Sequence, residues 1–211
     1  EGCEIVGLFD FGDTGHGGNN GFESLLYVDK KPYQGVDTNH TEVFFYDMGG
    51  KEVTLTFMLW TGLEGGGVHR DFYHRCRQAD LAYLHKKADE LYYFGRAILG
   101  SLDWMEEDSE HYEHLLAALD RSMLCIDWDG EELYSSVDKA HDILMTELNR
   151  LEKHTNITVN AIGHTHIDVA WLWRLKHTRE KAQRSFATVL RLMEQYDEYV
   201  FLQTQPQLYQ F

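Results

Sequence analysis

The C-terminal quarter of the chain contains the pattern that most constrains the fold: an apolar strand, an amphipathic helix and a second strand in succession. The strands are expected at 157–163 and 199–204, and the helix at 175–196. This order predicts a βαβ unit with parallel strands. Two parallel strands cannot cover both of their faces, so we expect the segment to be the start of a larger α/β domain and the chain to be a fragment.

Residues 1–74 show the short alternating apolar runs of β structure. The run at 53–60 alternates between apolar and other side chains, and further β-prone runs occupy 24–28 and 41–46. A turn is expected at 29–32, and Gly-rich segments at 16–21 and 64–67 separate the runs. Several short strands at this spacing predict a small β-sandwich-like module.

Three amphipathic helices are predicted in residues 75–154, which form a helical connector. The first has apolar positions from Leu81 onward and ends at Gly100 as a C-cap. The second begins after the N-cap Ser109, and the third begins near Ser135 or Ser136.

The charge balance and the cysteine content limit the classes of partner and compartment. With 35 acidic and 19 basic residues, the net charge is −16, which disfavours nucleic acid and anionic membranes as partners. No apolar run is long enough for a transmembrane helix, and no secretory signal is visible. Three well-separated cysteines indicate reduced thiols, so a cytoplasmic location is predicted.

Metal-binding side chains follow the first strand of the βαβ unit. His164, His166 and Asp168 occupy alternate positions, so an extended backbone would place them on one side at a spacing of roughly 6.5–7 Å. Catalytic groups collect at this end of strands in α/β domains, and imidazole and carboxylate groups are zinc ligands. The alternative interpretation is three separate polar residues at the start of the next helix.

Two tryptophans lie close behind the histidines. The broad aromatic faces of Trp171 and Trp173 suit the apolar face of a sugar ring, beside polar groups that bind its hydroxyls. The alternative for each is packing of the helix start against the sheet.

The segments HTHIDVAWLWRLKHTREKAQRSF and FLQTQPQLYQF resemble the start of the catalytic domain of glycoside hydrolase family 38, the class II α-mannosidases. Residues 23–42 are similar to the N-terminal β module of its cytosolic and bacterial branch. The resemblance implies a retaining exo-α-mannosidase with an α/β barrel catalytic domain and one zinc ion. It implies that His166 and Asp168 are zinc ligands and that Trp171 stacks on mannose, whereas His164 supports the site without binding the metal.

The resemblance also implies that the nucleophile, the general acid/base and the remaining zinc ligand lie beyond residue 211. Retaining glycosidases need two carboxyl groups about 5–5.5 Å apart, so no catalytic residue is assigned within this chain and the isolated chain is expected to be inactive. The expected substrate is a mannose-containing oligosaccharide or mannoside. Cobalt is an alternative to zinc, since the same ligands suit both ions. Members of this branch are often homo-oligomers.

The predicted fold is therefore of mixed α and β class, with three parts. These are a β-sandwich-like module (1–74), a helical connector (75–154) and the first βαβ of an α/β barrel catalytic domain (155–211). Two other functions stay open at this point. One is an amidohydrolase-like metal hydrolase, which also places a H-x-H motif at the end of its first strand. The other is a non-catalytic carbohydrate-binding module.

Overall fold

A computed structural model describes residues 4–13, 22–60, 73–151, 158–171 and 173–211. The chain divides into two compact units, which we call the β unit (Glu4–Tyr83 with Val159–Phe211) and the helical unit (Leu84–Thr158). The mixed class predicted from the sequence is confirmed, with small sheets. The strands of the β unit are β1 Glu4–Asp13, β2 Glu23–Val28, β3 Lys31–Asp37, β4 Glu42–Phe44, β5 Leu55–Trp60, β6 Tyr73–Leu84, β7 Gly163–His164 and β8 Phe201–Leu202.

Two three-stranded sheets share one hydrophobic core in the β unit. Strand β1 lies between β4 and β6 in the first sheet, and β2 lies between β3 and β5 in the second. The alternation predicted for β5 is present, since Leu55, Phe57 and Leu59 are less exposed than Thr56 and Met58. Both sheets contribute side chains to the core, including Phe9, Phe11, Leu26, Val36, Val43 and Phe57. The predicted Gly-rich turns at 16–21 and 64–67 lie outside the described residues.

The hairpin between β2 and β3 has a two-residue turn, shorter than the predicted turn at 29–32. Asp29 and Lys30 both have positive φ angles, 48° and 68°, as the twist of a tight hairpin favours. Lys31 and Pro32 already belong to β3, where they pair with Val28 and Tyr27. Proline is tolerated there because β3 lies at the sheet edge, where no second ladder needs its missing N–H group.

The predicted βαβ unit is present in short form. Strands β7 and β8 pair in parallel, and helix α4 (Leu175–Gln195) connects them. The prediction of a buried strand at 157–163 was wrong: only Gly163 and His164 pair, and Val159 is 83% exposed. A parallel strand is buried when neighbours flank it and helices cover both faces, whereas β7 and β8 form a two-stranded sheet in the described residues. Ile157 lies outside those residues.

The helical unit contains α1 (Lys86–Leu102), α2 (Glu110–Leu124) and α3 (Leu133–Arg150). Ser109 is the N-cap of α2, as predicted, and accepts a hydrogen bond from the Tyr112 N–H group. Both ends of α1 differ from the prediction. Leu81 lies in β6, because residues 73–84 pair with β1, and α1 continues through Gly100 to Leu102. Residues of all three helices form the core, among them Leu91, Ile98, Leu119, Val137 and Leu144.

Helix α3 begins at Leu133, two residues before the predicted start at Ser135.

Within the described ranges, no helix combines the length and the apolar character that a bilayer span requires. Cys76 and Cys125 carry free thiols, and Cys3 lies outside the described residues.

Candidate functional site

The end of β7 brings together two of the predicted metal-binding side chains. Nε2 of His166 lies 3.1 Å from Oδ1 of Asp168. Both side chains are accessible, with 71% and 48% of their surface exposed. Ile167, between them, is buried and packs with Ala182 and Leu208. Alternation along this segment therefore turns the apolar residue inward and both polar groups toward solvent.

His164 does not join this pair. Its Nε2 atom lies 3.3 Å from Oγ1 of Thr204, which follows β8. The histidine thus links the ends of the two parallel strands, while His166 and Asp168 contact each other. Across the described part of the chain, no group of three or more His, Cys, Asp or Glu side chains has an arrangement that could hold a metal ion.

The predicted sugar-stacking residue is exposed and is oriented by its neighbour. Trp171 is 62% exposed, and its ring lies edge to face with that of Trp173, at 5.4 Å between centroids and 88° between planes. Trp173 is only partly exposed, and its Nε1–H donates to Oγ1 of Thr178 at 3.1 Å. Trp173 therefore packs at the helix start, as one interpretation predicted, and leaves Trp171 open to solvent.

The sequence did not identify Thr178 as part of this arrangement. It lies in the first turn of α4, is fully buried, and its Oγ1 also accepts the Ala170 N–H at 3.2 Å. Ala170 has a φ of 55°, which is uncommon for a residue with a Cβ atom. The hydroxyl thus stabilises the sharp turn between Asp168 and Trp171. A polar residue on the buried face of a predicted amphipathic helix was the signal available in the sequence.

Two further contacts hold the strand ends below the site. Gln203, which is buried, donates from Nε2 to the Thr165 carbonyl at 2.8 Å. A Cβ atom on Gly163 would lie 2.3 Å from Oη of Tyr199, so a larger residue at this position would require the tyrosine ring to shift. The backbone on either side of His164 is therefore closely packed.

The β sheets hold the helix that follows the site. Gly35 in β3 donates its N–H to Oγ1 of Thr188 at 3.1 Å, and a Cβ atom on this glycine would lie 2.7 Å from that oxygen. Glu23 at the start of β2 forms ion pairs with Lys181, at 3.2 Å, and with Arg184. The N-terminal strands and residues 159–211 therefore form one packed structure.

Comparison with known proteins relates both parts of the β unit to α-mannosidases. Residues 156–211 match the model of the glycosyl hydrolases family 38 N-terminal domain. The chain is 31% identical to alpha-mannosidase 2C1 of Mus musculus over 200 residues, 88% of this chain. It is 29% identical to alpha-mannosidase G of Dictyostelium discoideum over 135 residues, or 64% of this chain.

The matched region is a small part of each relative. The chain spans 19% of the mouse protein and 12% of the Dictyostelium protein. Both the family match and the longer similarity, which extends over most of the chain, agree with the resemblance found in the sequence. The comparisons therefore show similarity to glycosyl hydrolases family 38 over residues 156–211, and to α-mannosidases over most of the chain.

Proposed function

We propose that this chain is the N-terminal portion of a zinc-dependent retaining α-mannosidase, which removes terminal α-linked mannose from oligosaccharides or mannosides. One observation carries the proposal: His166 and Asp168 contact each other in a segment that also carries the exposed ring of Trp171, three residues after Asp168. The same short segment thus offers a nitrogen donor, an oxygen donor and an aromatic face. That combination suits a metal-assisted sugar site.

The residues present fit half of a zinc site. Nε2 of His166 and Oδ1 of Asp168 are 3.1 Å apart, and both are accessible to an ion. When bound, zinc would act as a Lewis acid toward sugar hydroxyls. His166 and Asp168 would hold the ion, and Trp171 would bind the apolar face of the mannose ring. His164, bonded to Thr204, would maintain the strand ends. Cobalt could replace zinc on the same donors.

The proposal extends to parts that this chain does not contain. The nucleophile, the general acid/base and a further zinc ligand would come from residues after Phe211, so the isolated chain should not turn over substrate. Residues 155–211 would be the first βαβ of an α/β barrel, and the two three-stranded sheets a sandwich-like module. The complete protein would act in the cytoplasm as a homo-oligomer of the cytosolic and bacterial branch.

The test uses the complete protein with an aryl α-mannoside as substrate, with and without a chelator. His166→Ala and Asp168→Asn should each abolish most of the hydrolysis and lower the bound zinc measured by elemental analysis, because each removes one of the two donors. Asp129→Asn, at an exposed position between α2 and α3, is the matched control for Asp168→Asn and should retain both hydrolysis and bound zinc.

The outcomes separate the candidate functions. Hydrolysis lost on chelation and on His166→Ala substitution supports the proposal. Bound metal without mannoside hydrolysis would favour the amidohydrolase-like alternative. If the protein showed no bound metal and no hydrolysis, that result would contradict an enzymatic role and favour the carbohydrate-binding module.

A further inference from the structure

A partly buried ammonium group connects the N-terminal sheets to the tryptophan pair. Nζ of Lys181 lies 4.8 Å from the ring centroid of Trp60 in β5 and 4.9 Å from that of Trp173. The lysine side chain is 19% exposed, and its ammonium group forms an ion pair with Glu23 in β2, which also pairs with Arg184. A cation held against two indole rings attracts both of them.

We propose that Trp60 and Lys181 are positioning residues, which fix Trp173 and, through it, the orientation of Trp171 for binding of a sugar ring. This inference rests on the proposed function, because it assigns Trp171 the role of stacking on mannose. Neither residue would touch the substrate. The N-terminal β strands would thus act on substrate binding through α4.

Each contact along this path is direct. Trp173 is held by Thr178 at its Nε1 atom and by the Lys181 ammonium at its ring, so both its position and its tilt are determined. Trp171 packs edge to face on Trp173 and exposes the rest of its ring. A change in the tilt of Trp173 therefore changes the face that Trp171 presents.

Trp60 covers the start of α4 as well. Its ring lies 6.2 Å from that of His177, at an interplanar angle of 65°. Nδ1 of His177 accepts the Arg174 N–H at 3.3 Å, which caps the helix immediately after Trp173. Trp60 thus contacts two consecutive turns of the helix, at His177 and Lys181. These are the turns that carry the contacts to Trp173.

The first test measures KM and kcat for an aryl α-mannoside with the complete protein. Lys181→Met keeps the aliphatic stem but removes the charge, and it should raise KM about two- to fivefold, which corresponds to the loss of the cation–π contact that orients Trp173. Because stacking acts on bound substrate before and during reaction, kcat should change little. Lys181→Arg keeps the positive charge and should have the KM of the unsubstituted protein. Trp60→Leu should raise KM as much as Lys181→Met does.

Coupling to Trp171 distinguishes positioning from general loss of stability. In a Trp171→Ala background, Lys181→Met should raise KM no further, because the oriented ring is already absent. Lys139→Met, on the exposed surface of α3, is the matched control and should leave KM unchanged. An equal rise of KM with and without Trp171 would overturn the proposal.

The second test is independent of catalysis. Two indole rings 5.4 Å apart should give an exciton couplet in the circular dichroism spectrum, identified as the signal lost in Trp171→Ala. Lys181→Met should weaken this couplet, and Lys181→Arg should retain it. An unchanged couplet in Lys181→Met would overturn the positioning role. If the complete protein does not hydrolyse mannosides, the proposed function fails, and the couplet still decides whether Lys181 orients the pair.

Discussion

A single buried hydroxyl, that of Thr178, stabilises the segment between the His166–Asp168 pair and α4. Its Oγ1 accepts hydrogen bonds from the Ala170 backbone and from the Trp173 indole. Both donors would lose their partner together if the oxygen were removed. An unsatisfied buried donor costs more free energy than the average hydrogen bond contributes.

Thr178→Val keeps the shape of the side chain but removes the acceptor, and we expect it to lower the free energy of unfolding by about 1–3 kcal/mol. The Ala170 amide should also exchange faster with solvent deuterium. Chemical denaturation and hydrogen-exchange mass spectrometry measure the two effects. Thr146→Val is the control, since the Thr146 hydroxyl is exposed and donates only to the Asp142 carbonyl of its own helix. Equal effects of both substitutions would contradict this role of Thr178.

The turn after β3 contains a coupled pair, Asp37 and His40. The hydrogen bond to Asp37 raises the pKa of His40 above its ordinary value of 6.5, with partial burial opposing and the carboxylate charge adding to the rise. Burial acts to raise the pKa of Asp37, but hydrogen bonds and the charge from His40, with the Asn39 and His40 N–H groups, lower it below 3.8 overall.

The sign of each shift predicts the pH range in which the pair stabilises the fold. The contribution of His40 is complete below pH 6.5 and is lost as pH rises through its raised pKa. The contribution of Asp37 is complete above pH 3.8 and is lost as pH falls through its lowered pKa. An NMR titration of the His40 ring should show the raised pKa, and Asp37→Asn should return it toward 6.5. An identical His40 pKa in both proteins would refute the coupling.

At the scale of the elements, helix ends depend on contacts that periodicity alone does not describe. Gly100 was expected to end α1, but the helix continues to Leu102 and is capped at Asp103. The φ angle of Gly100 is not positive, and a Cβ atom placed there would have open space. Glycine at this position therefore only lowers the stability of the helix, through its greater conformational freedom in the unfolded chain.

We therefore expect Gly100→Ala to raise the free energy of unfolding by about 0.5–1 kcal/mol, because alanine has the higher helix propensity. Thermal unfolding of the helical unit, followed by circular dichroism at helix wavelengths, measures the change. Gly163→Ala is the matched contrast and should destabilise the fold, because its Cβ would collide with Tyr199. Destabilisation by Gly100→Ala would instead support the C-cap that the sequence predicted.

At the scale of the whole chain, two units each have a core of their own. The β unit combines most of the predicted first and last parts with residues 75–83 of the predicted connector, and in it β3 packs on α4 through the contact of Gly35 with Thr188. The three helices enclose a separate core around Leu144. Each core should therefore unfold as a cooperative group.

Leu26→Ala in the β unit and Leu144→Ala in the helical unit each remove a fully buried side chain. Each substitution should lower the free energy of unfolding of its own unit by about 2–5 kcal/mol. Peptide-resolved hydrogen exchange should show lost protection mainly in residues 22–60 for the first variant and 84–151 for the second. Equal loss of protection in both units after either substitution would show that they unfold together.

The sequence by itself determined the order of local elements and the chemistry at the end of β7. Periodicity of apolar residues identified β2, β4 and β5, the three connector helices and α4, because each element must turn one face toward a core. The H-x-H-x-D spacing predicted that His164, His166 and Asp168 would lie on one side of the chain, and the structure brings His166 and Asp168 of these three into contact. These are properties of residues close in sequence.

Only the tertiary structure decided which distant residues meet. The ion pair of Glu23 with Lys181 joins residues 158 positions apart, and no local pattern in the sequence describes it. No local pattern describes the position of Lys181 between Trp60 and Trp173 either. The short extent of β7 also depends on the tertiary structure, because it follows from the strands available to pair with β7. Local periodicity shows which face of an element is apolar, but the partner of that face is determined by the packing of the whole unit.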